Sequence, residues 1–250
     1  MAVTDFFGMG GAQQERSVKH GISLARVTSI TDPKNLGRVK CSFITSDKDA
    51  GETGWIYCVT LFGGNGSGTF FHPNVGDIVA LAFENGEIER PIVLGSVWIE
   101  KNKPPLAVKD GKNDDYTITT PNKSVVELHD EKGKERISVT TPKKRALVLD
   151  DEKELMSLSD GKNAVEIDGK KGEITIKAEK KLTLKVGSGV TVTFDGTAGG
   201  VKVDAKKELS VSSAQVAVKA SGTAEIKGSG SVTVQSSGML TLKGSMTKIN

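Results

Sequence analysis

From Ile174 onward, two apolar residues flanking one polar residue recur about every eight positions. The series runs Ile174/Ile176, Leu182/Leu184, Val190/Val192, then, after a longer step at Asp195–Gly200, Val201/Val203, Leu209/Val211 and Val216/Val218. It ends with Ala224/Ile226, Val232/Val234 and Leu240/Leu242. Looser intervals of nine or ten residues precede it, with pairs at Ile137/Val139, Leu147/Leu149 and Val165/Ile167. Gly, Ser, Thr and Lys fill the gaps, and Asp160-Gly161, Asp168-Gly169 and Asp195-Gly196 have turn chemistry. Nothing recurs at three and four, which excludes helix. Each unit predicts a strand of about five residues with one apolar face, followed by a short corner.

The pattern differs before Trp98. "GISLARVTSI" opens a set of strands. "LGRVKCSF" alternates, with Val39, Cys41 and Phe43 on one face and Arg38, Lys40 and Ser42 on the other. "GWIYCVTLF" reads as a continuous apolar strand. "GDIVALAF" leads to Asn85-Gly86, which suits a tight hairpin, and "RPIVLGSVW" follows. Five strands in about 80 residues predict a small closed barrel such as an OB-fold. Glu100 to Asp115 is a charged linker stiffened by Pro104-Pro105. The expected organisation is a flexible arm at 1–20, a barrel at 21–99, a linker at 100–115 and the repeat at 116–250.

An eight-residue unit cannot close a core by itself, because a single-chain solenoid coil takes some 20 residues. It covers one side of a prism, and three chains close the prism. The residues expected on the axis are Leu182, Leu184, Val190, Val192, Leu209, Val211, Val216, Val218, Ile226, Val232, Val234, Leu240 and Leu242. Strand hydrogen bonds are then expected between chains, and a lone copy of this half is expected to be unfolded. Aromatic placement agrees: ten of the twelve Phe, Tyr and Trp residues lie at or before Trp98, and rings are not expected to fit on such an axis.

Charge and candidate chemistry remove several function classes. The net charge of +3 gives no strong field for nucleic acid. Trp55 and Trp98 lie in apolar runs and are expected inside, whereas single-strand binding on a barrel needs exposed aromatics in a basic groove. Cys41 and Cys58 read as free core thiols. His20, His72 and His129 lack metal-ligand spacing. "FGGNGSGTF" has no following Gly-Lys-Ser/Thr, so it reads as a loop rather than a phosphate cradle. No triad or paired-carboxylate site is recognisable, so no catalytic residue, metal or cofactor is expected. The runs "PKKR" and "DDEKE" are expected at corners. Beyond Glu225 the only charged residues are Lys227, Lys243 and Lys248, which gives a basic tip. The N-terminal residues have no signal-peptide pattern and no segment approaches a membrane span, so assembly in the cytoplasm is expected.

The stretches "TDPKNLGRVKCSF", "GWIYCVTLF" and "FFHPNVGDIVALAFENGEIERPIVLGSVW" resemble the OB domain of the contractile-tail baseplate spikes. That family comprises phage tail spikes, the VgrG proteins of type VI secretion and the spikes of R-type bacteriocins. The marks are Gly37-Arg38-Val39, Gly54-Trp55, Pro73, Gly76-Asp77, Phe83 to Gly86 and Pro91 to Val97. The repeat ending in "KGSMTKIN" resembles the family's needle. The resemblance implies an all-β protein, with an N-terminal OB-fold barrel followed by a trimeric, triple-stranded, intertwined β-helix. It implies a non-catalytic homotrimer, carried in a virion or extracellular contractile particle, that sits under the tail tube and punctures the target cell envelope when the sheath contracts. No lysozyme-like insert stands between barrel and repeat, and no hub domain precedes the barrel, so a separate hub protein is expected at the OB end. No His-x-His occurs in the last 50 residues. A PAAR-like tip protein is therefore expected on a platform formed by Met246, Lys248, Ile249 and Asn250. The alternative is a trimeric receptor-binding adhesin or tail fibre, which would share the repeat without needing the barrel motifs.

Overall fold

The computed structural model describes residues 21–44 and 51–248, so the expected arm at 1–20, with His20, lies outside the described residues. The first sheet is built from β1 (Ser23–Ser29), β2 (Lys40–Phe43), β5 (Ile78–Phe83) and β6 (Pro91–Ser96) in the order β2-β1-β5-β6. A two-residue pair, β3 (Gly63–Gly64) and β4 (Ser67–Gly68), forms a small hairpin in the Gly-rich stretch, which is a loop as its composition predicts. Period-two alternation sets the inward face: Ala25 and Val27 on β1 are buried, while Leu24, Arg26 and Thr28 point out. They meet Val39, Cys41, Ile56, Val79, Leu81 and Val93 in one core cluster. Cys41 and Cys58 are free thiols, and burial pushes Cys41 up to about 11 and raises Cys58.

The loop joining β1 to β2 is held by a buried carboxylate. Asp32 accepts from Arg38 Nε at 2.9 Å and Nη2 at 2.7 Å, and from the backbone N–H groups of Lys34 (3.0 Å) and Leu36 (2.9 Å). Arg38 lies over the Tyr57 ring at 5.8 Å. These bonds, that to Arg38 foremost, hold the Asp32 carboxyl well below the usual carboxylate range despite its burial.

Three expectations for this module are corrected. The continuous strand over Gly54–Phe62 is absent, and with it a regular closed five-stranded barrel. Ile56 exchanges bonds with Val39, whereas Val59 and Tyr57 bond Val93. The segment thus changes partner within three residues and builds no ladder with either edge strand. Tyr57, Val59 and Leu61 are exposed, so the apolar run alternates instead of being buried throughout. Asn85 and Gly86 do take the positive φ values (52° and 79°) of a hairpin turn. Yet Phe83 pairs with Pro91, so the connection spans residues 84–90 and a second turn, closed by Arg90 N–H to Glu87 O, follows the first. Finally, Trp98 is 68% exposed, not packed inside. Trp55 is half-buried, with Lys40 over its ring at 5.5 Å.

After the turns of residues 99–114 the chain folds into an antiparallel meander. Its strands are β7 (Asp115–Thr119), β8 (Val125–His129), β9 (Arg136–Thr140), β10 (Ala146–Asp150), β11 (Leu155–Ser159), β12 (Ala164–Asp168) and β13 (Glu173–Lys177). Each pairs with the next in sequence. Two corners share one design: Thr120-Pro121-Asn122-Lys123-Ser124 and Thr141-Pro142-Lys143-Lys144-Arg145. In both, the threonine N–H donates to the last residue's carbonyl and the lysine N–H donates back to the threonine carbonyl. Proline presets φ, and Lys123 and Lys144 take the left-handed conformation at φ 64° and 60°.

The chain divides into two compact units, one ending at Lys177 and one beginning at Ala178. In the second, β14 (Lys181–Val186), β15 (Val190–Asp195) and β16 (Gly200–Ala205) form a three-stranded meander. Residues 206–248 form no strand, and all are exposed. The expectation that strand bonds of the repeat run between chains is thus corrected for residues 115–205, where they run within the chain. Within each meander, corners of three to six residues return each strand beside its predecessor, and hydrogen bonding between sequence neighbours follows.

Candidate assembly face

The register of the seven-stranded meander puts every apolar pair in line. Tyr116 and Ile118 lie opposite Leu128 and Val126; these lie opposite Ile137 and Val139, which in turn lie opposite Leu149 and Leu147. The series continues through Met156/Leu158 and Val165/Ile167 to Ile174/Ile176. Because side chains alternate across a strand, all fourteen share one face of the sheet.

Among the described residues nothing covers that face. Twelve of the fourteen are between 40% and 71% exposed, with Val165 and Ile174 at the limits. The opposite face, where Val125, Val148 and Leu155 stand among polar residues, is the better buried one: Ser138 is 9% exposed and Asp150 7%, while Ile137 and Leu147 are 44% and 43% exposed. Covering fourteen half-exposed apolar side chains would contribute on the order of 10–20 kcal/mol per chain. A contiguous apolar face of this extent is the signature of an interaction surface.

The second unit repeats the arrangement. Leu184 lies opposite Val192, and Val192 opposite Val203; Leu182 lies opposite Phe194, and Val190 opposite Val186 and Ala205. The expected axis residues Leu182, Leu184, Val190 and Val192 therefore share one face. Phe194 shares it too, so the exclusion of rings does not hold on these sheets, where Tyr116 and Phe194 both lie on the apolar side. The remaining expected axis residues, Leu209, Val211, Val216, Val218, Ile226, Val232, Val234, Leu240 and Leu242, are more than half exposed and stand outside any ladder. Of the expected platform, Met246 and Lys248 are exposed, whereas Ile249 and Asn250 lie outside the described residues. Sequence reasoning missed Tyr116/Ile118, Val126/Leu128 and Met156/Leu158 as members of the array. The same apolar–polar–apolar signal marks all three, and their looser spacing hid them.

The other side of the sheet carries ion pairs. His129 Nδ1 lies 2.6 Å from Asp115 Oδ1 and its Nε2 3.6 Å from Glu131. The hydrogen bond to Asp115 raises the His129 pKa. Arg136 pairs with Glu127 at 2.8 Å. Among the described residues no cluster of His, Cys, Asp and Glu has the arrangement of a metal site.

Residues 23–98 match the family described as the type VI secretion system/phage-baseplate injector OB domain. Residues 23–98 are therefore an OB domain of the injector type. The match begins with β1 and ends at Trp98, so it takes in the whole first sheet and its core. No functionally curated protein matches the chain. Among the described residues no helix is long and apolar enough to cross a membrane.

Proposed function

We propose that this protein is the central baseplate spike of a contractile tail or injection system. It is a homotrimeric, non-enzymatic needle that sits under the tail tube and punctures the target envelope on sheath contraction. The observation that carries this reading is the uncovered apolar face of residues 116–176 in a chain that begins with an injector OB domain. Three copies turning these faces to a common axis bury them. In residues 207–248 the repeat continues with no in-chain strand ladder among the described residues, so its strands find their partners on other copies, as a triple-stranded, intertwined β-helix. A closed prism has no free lateral strand edge and resists bending and unzipping. Interwound chains also separate slowly, which gives kinetic stability. A trimeric adhesin or tail fibre would share the repeat but has no need of the injector OB domain.

A separate hub protein engages the OB end. A PAAR-like tip protein sits at the far end of the needle, where Met246 and Lys248 are exposed. Neither cofactor nor nucleic acid takes part. Sedimentation of the purified chain tests the core of the proposal: a species of three times 26.4 kDa is expected. A folded monomer at all concentrations would overturn it. Deleting residues 243–250 is expected to leave the trimer intact and to abolish tip-protein binding. The purified trimer is expected not to clear cell walls.

A further inference from the structure

The meander has two lateral rims of opposite charge, and we infer that they dock the basic rim of one copy on the acidic rim of the next. The inference rests on the trimer reading above and deepens it by fixing how the copies are oriented. Successive corners of a meander alternate between its two sides. One rim holds the corners after β7, β9 and β11 and the end of β13; it carries Lys123, Lys143, Lys144, Arg145, Lys162 and Lys177 against the single acid Asp160. The other rim holds the start of β7 and the corners after β8, β10 and β12. It carries ten acidic residues against six Lys and Arg. The acidic corners form one line, since Asp130 N–H bonds Asp114 O, Asp151 N–H bonds Glu135 O and Gly169 N–H bonds Glu154 O.

Pairing within the chain sharpens the asymmetry. On the acidic rim, Lys134, Lys153 and Lys171 are each held by a carboxylate of their own corner, Glu131 at 2.7 Å, Asp150 at 2.7 Å and Asp168 at 2.8 Å. The side chains of Asp130, Asp151, Glu152 and Glu154 form no ion pair among the described residues. On the basic rim, Lys123, Lys143, Lys144 and Arg145 have no carboxylate at ion-pair distance among the described residues, and all four are exposed. The unspent charge is positive on one side of the sheet and negative on the other.

This pattern suits one assembly geometry. When copies are related by rotation about the axis along which the strands stack, every basic rim meets an acidic rim, in a head-to-tail interface that closes into a ring. When two copies face each other with opposite directions along that axis, basic rim meets basic rim and acidic meets acidic. The apolar faces alone do not distinguish the two arrangements, whereas the rims do: they reject the antiparallel one by like-charge repulsion. All C-termini then point the same way.

The test uses full-length protein refolded by dilution from denaturant, with trimer formation followed by light scattering. One variant reverses the basic rim (Lys143→Glu, Lys144→Glu, Arg145→Glu). A second reverses the acidic rim (Asp151→Lys, Glu152→Lys, Glu154→Lys). A third carries all six changes. Each single-rim variant is expected to form trimer about tenfold or more slowly at low salt, and the six-fold variant to return close to the wild-type rate. The differences are expected to vanish near 1 M salt, where the screening length falls to about 3 Å. That recovery also shows that the variants still fold. Single-rim variants that assemble at the wild-type rate, or a six-fold variant no better than either, would overturn the rim docking and leave the trimer standing. A wild-type chain that stays monomeric would remove both.

Discussion

Replacing Leu184 by Asp is expected to abolish the trimer, while the same change at Lys185 is tolerated. Leu184 sits on β14 with Val192 opposite and Val203 beyond it, and is 48% exposed in the single chain. Burying its exposed half on association contributes about 1 kcal/mol per copy. An aspartate there gives up that term and loses its water as well, at a cost of several kcal/mol per buried ion. Three copies bring three carboxylates to one axis, so the total is on the order of 10 kcal/mol per trimer. At about 1.4 kcal/mol per tenfold, that weakens association by roughly seven orders of magnitude. Lys185 lies opposite Thr191 on the other face, where an aspartate stays in water. Sedimentation velocity at micromolar concentration reads the difference directly. Far-UV circular dichroism checks that the strands of β14–β16, which pair within the chain, persist. Equal trimer yield from the two variants would refute the assignment of faces.

Leu81 is fully buried in the OB core, and Leu81→Ala is expected to cost about 2–5 kcal/mol in a urea titration that follows the first module. Asp32→Asn removes the counter-charge of Arg38 and puts an NH2 donor where one carboxylate oxygen accepted from one guanidinium N–H and one backbone N–H, and it is expected to lower the melting temperature at neutral pH. Because the folded carboxyl is held below its ordinary value of 3.8, the wild type's advantage is full above that pH and fades as pH falls through the depressed value. An advantage unchanged at strongly acidic pH would contradict it. For His129 the sign reverses. Its folded pKa is raised above 6.5 by Asp115, so the wild type's advantage over Asp115→Asn is present below pH 6.5 and is lost as pH rises through the raised value; melting curves across that range check it.

The local rules of a strand were legible in the sequence, and the partners of each strand were not. The alternation in "LGRVKCSF" placed Val39 and Cys41 inside, and the pairs Leu147/Leu149 and Val165/Ile167 share a face, because a period of two is a property of the chain alone. The charge runs at 142–145 and 150–154 mark corners, as solvated, turn-forming residues do. Which strand lies next to which depends on how the corners bend. The in-chain ladder of β7–β16 therefore appeared only in three dimensions, as did the failure of Gly54–Phe62 to form a strand, since its bonds divide between two edge strands. The exposure of Trp98 was hidden for the same reason: a ring in an apolar run is buried only if something packs on it. The opposed rims are tertiary as well. Lys143 and Glu152 are nine residues apart on either side of β10, and the alternation of corners sends them to opposite sides of the sheet.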